Sequence, residues 1–300
     1  MTEAITVTAI VLTYNSDVDL PACLDGLLAQ ESIDLRIVVV DNASADDTSI
    51  QVKSKYPDVV LVTKEKNNGV AGWNDGFEKA TQRYLLVLDD DSHPESGLVE
   101  AIAYLNEHND VGILALNVTS GPYLSSMWKW RDKEDILGFL GCGAIIRSSV
   151  YETIGGFAEW MLVYGHEWEY AVRCLDAGYR IQYFESSSIV HRASSVNRSN
   201  KRMYTYSARN EMGIIYKYFP QQRWKYITRM FFNGLKFILV GGFNHSYYHV
   251  SGAIKFYKMR KNLSYTPVTP QAQAYYAERF WGTQPVFGNL KKKFLNLLRK

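Results

Sequence analysis

Three consecutive carboxylates, Asp89-Asp90-Asp91, follow the apolar run YLLVLD. Clustered carboxylates repel one another, and a hard divalent cation with oxygen ligands relieves that repulsion most directly. The cluster therefore suggests a metal and nucleotide site. A solvated acidic turn that caps a helix beginning near Pro94 explains the same residues. Polar groups also end the other apolar runs: Thr13-Tyr14-Asn15, Asp41-Asn42-Ala43-Ser44, and NNGVAGWNDG at residues 67–76. A carboxylate such as Asp41 can read a base or ribose through hydrogen bonds, or close an Asx turn over the next helix. The glycines of residues 67–76 have neither the GxGxxG spacing of a dinucleotide site nor the GK[ST] of a P-loop, which argues against hydride transfer and Walker-type phosphoryl transfer. They are expected to let backbone approach a ligand closely.

These groups need elements that bring them together. Residues 5–13, 36–41, 58–63, 84–89 and 111–116 are short runs rich in Val, Ile and Leu, as in parallel strands buried on both faces. Helix-length segments at 17–30, 45–55, 70–82 and 95–108 separate them, and a further helix over 166–177 precedes a strand at 179–184. The alternation predicts an α/β fold with a mostly parallel sheet flanked by helices. Ligands of such sheets bind beyond the carboxyl ends of the strands, so the polar runs should converge on one crevice. Residues 117–136 show no period and read as a functional loop, in which Trp128 and Trp130 either stack on an acceptor saccharide or pack in the core.

Six segments, TAIVLTYN, VVVDNAS, NNGVAGWNDG, LVLDDDSHP, GCGAIIRSSVYETIGGF and the stretch after Tyr164, occur in that order over about residues 5–210. Together they resemble family 2 glycosyltransferases. The resemblance implies a GT-A fold with a Rossmann-like nucleotide-binding half, a nucleotide-sugar donor, Mg2+ or Mn2+, and inversion at the anomeric carbon. It places Thr13, Tyr14 and Asn15 in the nucleoside pocket and Asp41 on the pyrimidine, with Asn68, Gly72 and Asn74 also on the donor side. Asp89 and Asp91 become the ends of an Asp-x-Asp motif around Asp90, with Asp91 the more direct metal ligand and Asp89 and Asp90 also facing the nucleotide. His191 would complete the metal shell, a nitrogen ligand that suits Mn2+ better than Mg2+. Where the family has Glu-Asp-x-Asp, this chain has His166-Glu167-Trp168-Glu169. Alignment through Arg173 and Ala177-Gly178-Tyr179 puts Glu167 at the position of the general base and Glu169 at the second acid. Pairing of Glu169 with Arg173 one helical turn away is an equally good account of that residue. Arg192, Arg198, Lys201 and Arg202 are candidates to balance the departing diphosphate. Ser207-Ala208-Arg209-Asn210 resembles an Arg-Asn element of bacterial transferases that build rhamnose-containing polymers, here read as a structural helix start. The implied donors are UDP- or dTDP-sugars, dTDP-rhamnose among them, and the implied acceptor is a saccharide or lipid-linked saccharide of the cell surface.

Composition adds a second theme. At 47% hydrophobic the chain can bury a large core, and its net charge of +2 conceals a split: residues 1–200 hold 15 Lys+Arg against 29 Asp+Glu, residues 201–300 hold 18 against 2. We therefore expect a catalytic domain over 1–200 and a basic helical region over 201–300. Trp224, Ile227, Phe231, Leu235, Ile238 and Leu239 recur at helical spacing among basic residues, which predicts two or three amphipathic helices. With the basic end at 290–300, the pattern fits peripheral contact with an anionic cytoplasmic leaflet, or a homodimer. Nucleic acid is not expected, because no recognition motif accompanies the charge. Three scattered cysteines favour a reducing cytoplasm over a disulfide framework, MTEAITVTAIVLTYN reads as a first strand, and no apolar run is long enough to span a bilayer. Two other functions use the same motifs. A sugar nucleotidyltransferase would want a glycine-rich basic loop after the first strand, where TYNSDVDLP stands. A non-catalytic nucleotide-sugar or lipid-binding subunit would tolerate the altered base segment.

Overall fold

The computed structural model describes residues 6–30, 33–119, 136–192, 199–236, 238 and 242–281. Trp128, Trp130, Arg198 and the basic end at 290–300 lie outside the described residues. One mixed sheet of eight strands organises the fold, in the order β3-β2-β1-β4-β7-β6-β8-β5. Its strands are β1 Thr6–Thr13, β2 Asp34–Asp41, β3 Val60–Thr63, β4 Tyr84–Asp89, β5 Ser92–Ser96, β6 Val111–Val118, β7 Ala144–Arg147 and β8 Arg180–His191. The pairs β1/β2, β2/β3, β1/β4 and β6/β8 are parallel, whereas β7 runs antiparallel to β4 and β6, and β5 antiparallel to β8.

Successive side chains on a strand face opposite ways, so alternate residues of β1 serve two cores. Val7, Ala9 and Val11 pack with Leu24 and Leu27 of α1 (Leu20–Leu28), Val52 of α2 (Thr48–Lys55) and Ile102 and Leu105 of α4 (Leu98–Glu107). Ile10 joins the other layer, with Trp73 and Phe77 of α3 (Trp73–Lys79), Val150 of α5 (Ser148–Ile154) and Tyr170 of α6 (His166–Asp176). The helices after residue 200 share this second core: α7 (Asn200–Tyr218) contributes Met212 and Tyr218, α8 (Arg223–Lys236) Ile227, α9 (Phe243–Met259) Phe256 and α10 (Pro270–Trp281) Tyr276. No helix among the described residues is long and apolar enough to cross a membrane.

Two elements differ from the sequence reading. The helix expected from residue 95 begins at Leu98, and Pro94 lies in a strand whose residues pair with the end of β8. Pro94 is tolerated there because β5 lies at the sheet edge, where one side of the ladder needs no donor. β8 runs to His191 instead of ending near residue 184, and this extension carries the histidine to the acid cluster.

Candidate active site

The carboxyl ends of β1, β2, β4 and β8 deliver Thr13, Asp41, Asp89 and His191 to one crevice. The first two strand ends are locked by side chains that bond backbone. The Asn15 N–H donates to Ser44 Oγ at 2.9 Å, and Asn15 Oδ1 accepts from the Ala45 N–H at 2.8 Å. Both loops hold a residue in the left-handed region, Asn15 at φ 51° and Ala43 at φ 68°. For alanine that conformation costs about 1 kcal/mol, a local strain of the kind functional loops retain. Asp41 accepts from the Ser44 N–H at 2.9 Å and from the Ser49 hydroxyl, so it closes the Asx turn over α2. Each of its oxygens keeps a further lone pair for a ligand. Asp90 Oδ2 accepts from Thr13 Oγ1 at 2.9 Å and from the Tyr14 N–H at 3.2 Å. Burial pushes its carboxyl up to about 6, against the lowering effect of the Thr13 bond.

The glycine segment behaves differently from the expectation. A Cβ on Gly69 (φ +62°) would sit 1.9 Å from the Leu162 carbonyl oxygen, and one on Gly72 would sit 2.5 Å from Leu12 Cδ1. These glycines admit the protein's own chain, a loop before α6 and strand β1, and not a ligand. Asn68 is held through its N–H on Asn42 Oδ1 at 2.9 Å. Asn74 exchanges two bonds with the Phe157 backbone, donating to its carbonyl at 2.9 Å and accepting from its N–H at 2.7 Å. That commits its amide to the Gly155-Gly156-Phe157 turn, a structural role that the donor-side expectation did not include. Trp73 is likewise a core residue whose indole donates to the Leu88 carbonyl at 3.1 Å.

Asp89, Cys142 and His191 form a donor cluster in which one ligand atom from each lies within 4.8 Å of the others. His191 Nε2 also stands 3.1 Å from Asp91 Oδ1. Ligands of one tetrahedral ion at about 2.0–2.3 Å lie roughly 3.3–3.8 Å apart, so the three atoms stand near a common ion position and would draw together to close on it. The carboxylate suits Mg2+ or Mn2+, whereas the imidazole and the thiol favour softer ions such as Zn2+. Arg192, expected at the diphosphate, donates through Nη2 to the carbonyls of Asp19 and Asp90 at 3.0 and 3.3 Å. It pins the acid loop from behind. Lys201 and Arg202 open α7, where the Ser199 hydroxyl caps the helix by accepting from the Arg202 N–H at 3.2 Å.

The base segment faces the same crevice. Tyr164 (φ 65°) and Gly165 (φ 77°) turn the chain into α6, whose first turn carries His166 and Glu167. His166 packs between Trp73 and Phe157, with ring centroids 5.5 and 5.4 Å away, and neither ring nitrogen makes a hydrogen bond. Burial lowers its pKa, although the Glu167 and Glu169 carboxylates pull the other way. Its Nδ1 lies 3.2 Å from Glu167 Oε2, and the Glu167 side chain keeps 18% exposure. A Cβ on Gly141 would lie 2.9 Å from His166 Nε2 and 3.8 Å from Glu167 Oε1, so the residue beside Cys142 abuts the candidate base. Burial, with the charges of Asp89, Asp91 and Glu167, pushes the Cys142 thiol up.

Glu169 is fully buried and takes two bonds from Arg173, at 2.9 and 2.8 Å, and one from the Tyr218 hydroxyl. Arg173 also donates to the Gly156 carbonyl at 2.8 Å. The second acid is therefore a structural counter-ion inside the fold. The Arg-Asn element lies in the middle of α7, not at a helix start. Asn210 is fully buried and donates to the carbonyls of Val163 and Tyr164 at 2.8 and 2.7 Å, while Arg209 bonds Asn210 Oδ1 at 2.8 Å and the Trp160 carbonyl at 2.6 Å. The pair anchors the loop that feeds the base into the crevice, a role visible only once that loop is in place.

An acid cluster at a sheet switch and a glutamate at a facing helix start accompany the architecture of the GT-A glycosyltransferases. The mannosyltransferase PcManGT from Pyrobaculum calidifontis, solved with GDP-Man and Mn2+, aligns with a TM-score of 0.60 over 94% of this chain and 89% of its own, at 19% identity. S. aureus TarS 1-349 in complex with UDP-GlcNAc gives 0.61 over 90% and 84%, also at 19% identity. The family model for glycosyl transferase family 2 matches residues 8–163, and the chain belongs to that family. It is a glycosyltransferase, and the nucleotidyltransferase and binding-subunit alternatives give way. A PGL/p-HBAD biosynthesis glycosyltransferase of Mycobacterium bovis is 27% identical over 177 residues, 55% of this chain and 68% of that one. The O-antigen chain rhamnosyltransferase WbaN of Salmonella anatum is 22% identical over 192 residues, 56% of this chain and 60% of that one. Across the curated relatives reported, the aligned part spans from 25% to 68% of their own length.

Proposed function

We propose that this protein transfers a sugar, with inversion, from a UDP- or dTDP-linked donor to a saccharide or lipid-linked saccharide in bacterial surface-polysaccharide assembly. The observation that carries the reading is the donor cluster of Asp89, Cys142 and His191, with Asp91 Oδ1 3.1 Å from His191 Nε2, beside Gly141, which abuts Glu167. The name of the WbaN relative supports a rhamnosyl donor, and the Mn2+ of PcManGT supports a metal-dependent one. Asp41 and the Asn15–Ser44 lock would hold the base, and Thr13 with Asp90 would border the ribose. Asp89, Asp91 and His191 would hold a divalent cation, which when bound offsets the charge of the diphosphate. Glu167 takes the proton of the acceptor hydroxyl as the new glycosidic bond forms and the bond to the diphosphate breaks. His166, kept neutral by burial, limits where the Glu167 carboxylate can turn. Lys201 and Arg202, at the start of α7, would balance the charge of the leaving group.

The basic region gives this reaction a place to act. Phe232, Ile238, Phe243, Tyr247, Ile254 and Tyr257 are exposed, and residues 212–277 contain no Asp or Glu. An apolar, purely basic face of this kind suits peripheral attachment to the anionic inner leaflet of the cytoplasmic membrane, where each basic residue contributes about 1 kcal/mol. We read residues 1–200 as the catalytic part and 201–300 as the part that presents it to a lipid-linked acceptor.

Calorimetric titration with UDP, dTDP, GDP and their sugar conjugates, first with Mn2+ and then with EDTA, tests the donor. Metal-dependent binding of one pyrimidine diphosphate, with a preference among its sugars, is expected. Equal binding with EDTA would remove the metal from the reading, and preference for GDP would remove the pyrimidine.

A further inference from the structure

One side chain at the crevice belongs to none of the roles above. Cys142 is 3% exposed and precedes β7, which pairs antiparallel with β4 through Val87 and Ala144. Cys142 lies in the turn that leads into β7, closed by the Gly143 N–H on the Leu140 carbonyl at 3.1 Å, and its sulfur comes within 4.8 Å of an Asp89 carboxylate oxygen. Gly141 and Gly143 flank it, so its thiol is the only side chain that residues 141–143 present. The flanking backbone is tightly placed: a Cβ on Gly143 would meet Ile189 of β8 at 3.2 Å, and one on Gly141 would meet His166 at 2.9 Å. Three elements thus converge, with the end of β4 giving an oxygen, the turn before β7 a sulfur and the end of β8 a nitrogen, all within 4.8 Å of one another.

We propose that Cys142 is a ligand of the divalent cation in this crevice, and that its sulfur biases the site toward Mn2+, Co2+, Zn2+ and Cd2+ over Mg2+. The proposal rests on the metal-dependent reading of the site and extends it. Thiolate is a soft ligand, whereas Mg2+ demands oxygen donors and gives up its waters reluctantly. On binding, the thiol proton passes to solvent as the sulfur–metal bond forms. Asp91, 3.1 Å from His191 Nε2, either joins the shell or orients the imidazole, as carboxylates beside ligating histidines commonly do. Cys23 tests the specificity of the assignment, because its sulfur lies 3.9 Å from the Asp89 carbonyl oxygen, yet it belongs to α1 and to no donor cluster among the described residues.

The test is optical titration of the purified full chain with Co2+ alone. Wild type, Cys23→Ser and Cys174→Ser should each develop a sulfur-to-cobalt charge-transfer band in the near ultraviolet. Cys142→Ser should lose the band while still binding Co2+ by calorimetry, weakened at least tenfold, roughly the smallest loss seen when even an outer-shell partner is removed. Its Mg2+ affinity should change less. Bound Co2+ without a sulfur band in wild type, or a band lost in Cys23→Ser and kept in Cys142→Ser, overturns the assignment and leaves the metal site standing. No Co2+ binding at all overturns the metal reading with it. Should Cys142→Ser fail to fold by circular dichroism, X-ray absorption of cobalt-loaded wild type decides: a sulfur neighbour at about 2.3 Å is expected, and a shell of oxygen and nitrogen alone overturns the proposal.

Discussion

The strand-end crevice and the helices after residue 200 treat their side chains in opposite ways. In the crevice, Thr13, Asp41, Asn42, Asp91 and His191 are each no more than 3% exposed. Buried polar groups of this kind fix their own geometry, because a misplaced partner leaves a desolvated dipole or charge behind. On α8 and α9 large apolar groups are exposed among basic ones such as Lys225, Arg229, Lys255 and Lys258, with Phe243 at 72% and Tyr257 at 60%. Phe243 and Tyr247 stack on this surface with ring centroids 6.5 Å apart. The contrast separates a buried polar crevice from an exposed apolar and basic surface, and α7 touches both. Its Arg209 and Asn210 hold the base loop, and its Gly252-facing side packs closely on α9, where a Cβ on Gly252 would come within 2.4 Å of the Thr205 carbonyl oxygen.

The largest effect that tests this division is Glu167→Gln, for which kcat should fall about 10²- to 10⁴-fold while calorimetric donor affinity persists. An active variant would move the base elsewhere and dissolve the crevice as the reaction site. Glu169→Gln should act on stability instead, lowering it by about 3–5 kcal/mol in urea unfolding, because Arg173 then sits without its counter-charge. A variant of normal stability that lost only kcat would give Glu169 a catalytic role and break the distinction between the two acids. Asn210→Ala should cost about 1–3 kcal/mol by leaving the Val163 and Tyr164 carbonyls unpaired, and should lower kcat with donor affinity unchanged. Unaltered turnover would cut the link from α7 to the base. The smallest effect belongs to the adhesive side: Phe243→Ser with Tyr247→Ser should weaken binding to anionic vesicles by about 1 kcal/mol per residue, with kcat on a soluble acceptor unchanged. Retained vesicle binding, or concentration-dependent self-association lost in the variant, would turn this face into an interface between copies.

Much of the site was legible because strand ends announce themselves. Apolar runs that stop at Thr13, Asp41 and Asp89 need only the parallel-sheet rule to converge, and the departure His166-Glu167 still pointed to a glutamate at a helix start. What escaped depends on contacts distant in sequence. SHPES, the sequence of β5, has no apolar alternation and becomes a strand only because β8 extends beside it. Cys142 gains meaning from its closeness to Asp89 and His191, and nothing local marks it. Glycines 69 and 72 looked like room for a ligand because a sequence does not reveal that Leu162 and Leu12 already occupy that room. Glu169 had two readings on local grounds, and only Tyr218, forty-nine residues later, decides between them.

The anchoring of the base loop by Asn210 also bears on the order in which the enzyme matures on the ribosome. The segments proposed for the donor are complete once Asp91 has been synthesised, and the proposed base arrives at Glu167. The side chain that holds that base, and the Tyr218 hydroxyl that seats Glu169, are translated only afterwards. A nascent chain therefore carries the donor-side motifs well before it can hold its general base in place, and a fragment terminated between residues 170 and 209 would retain the motifs without the anchor.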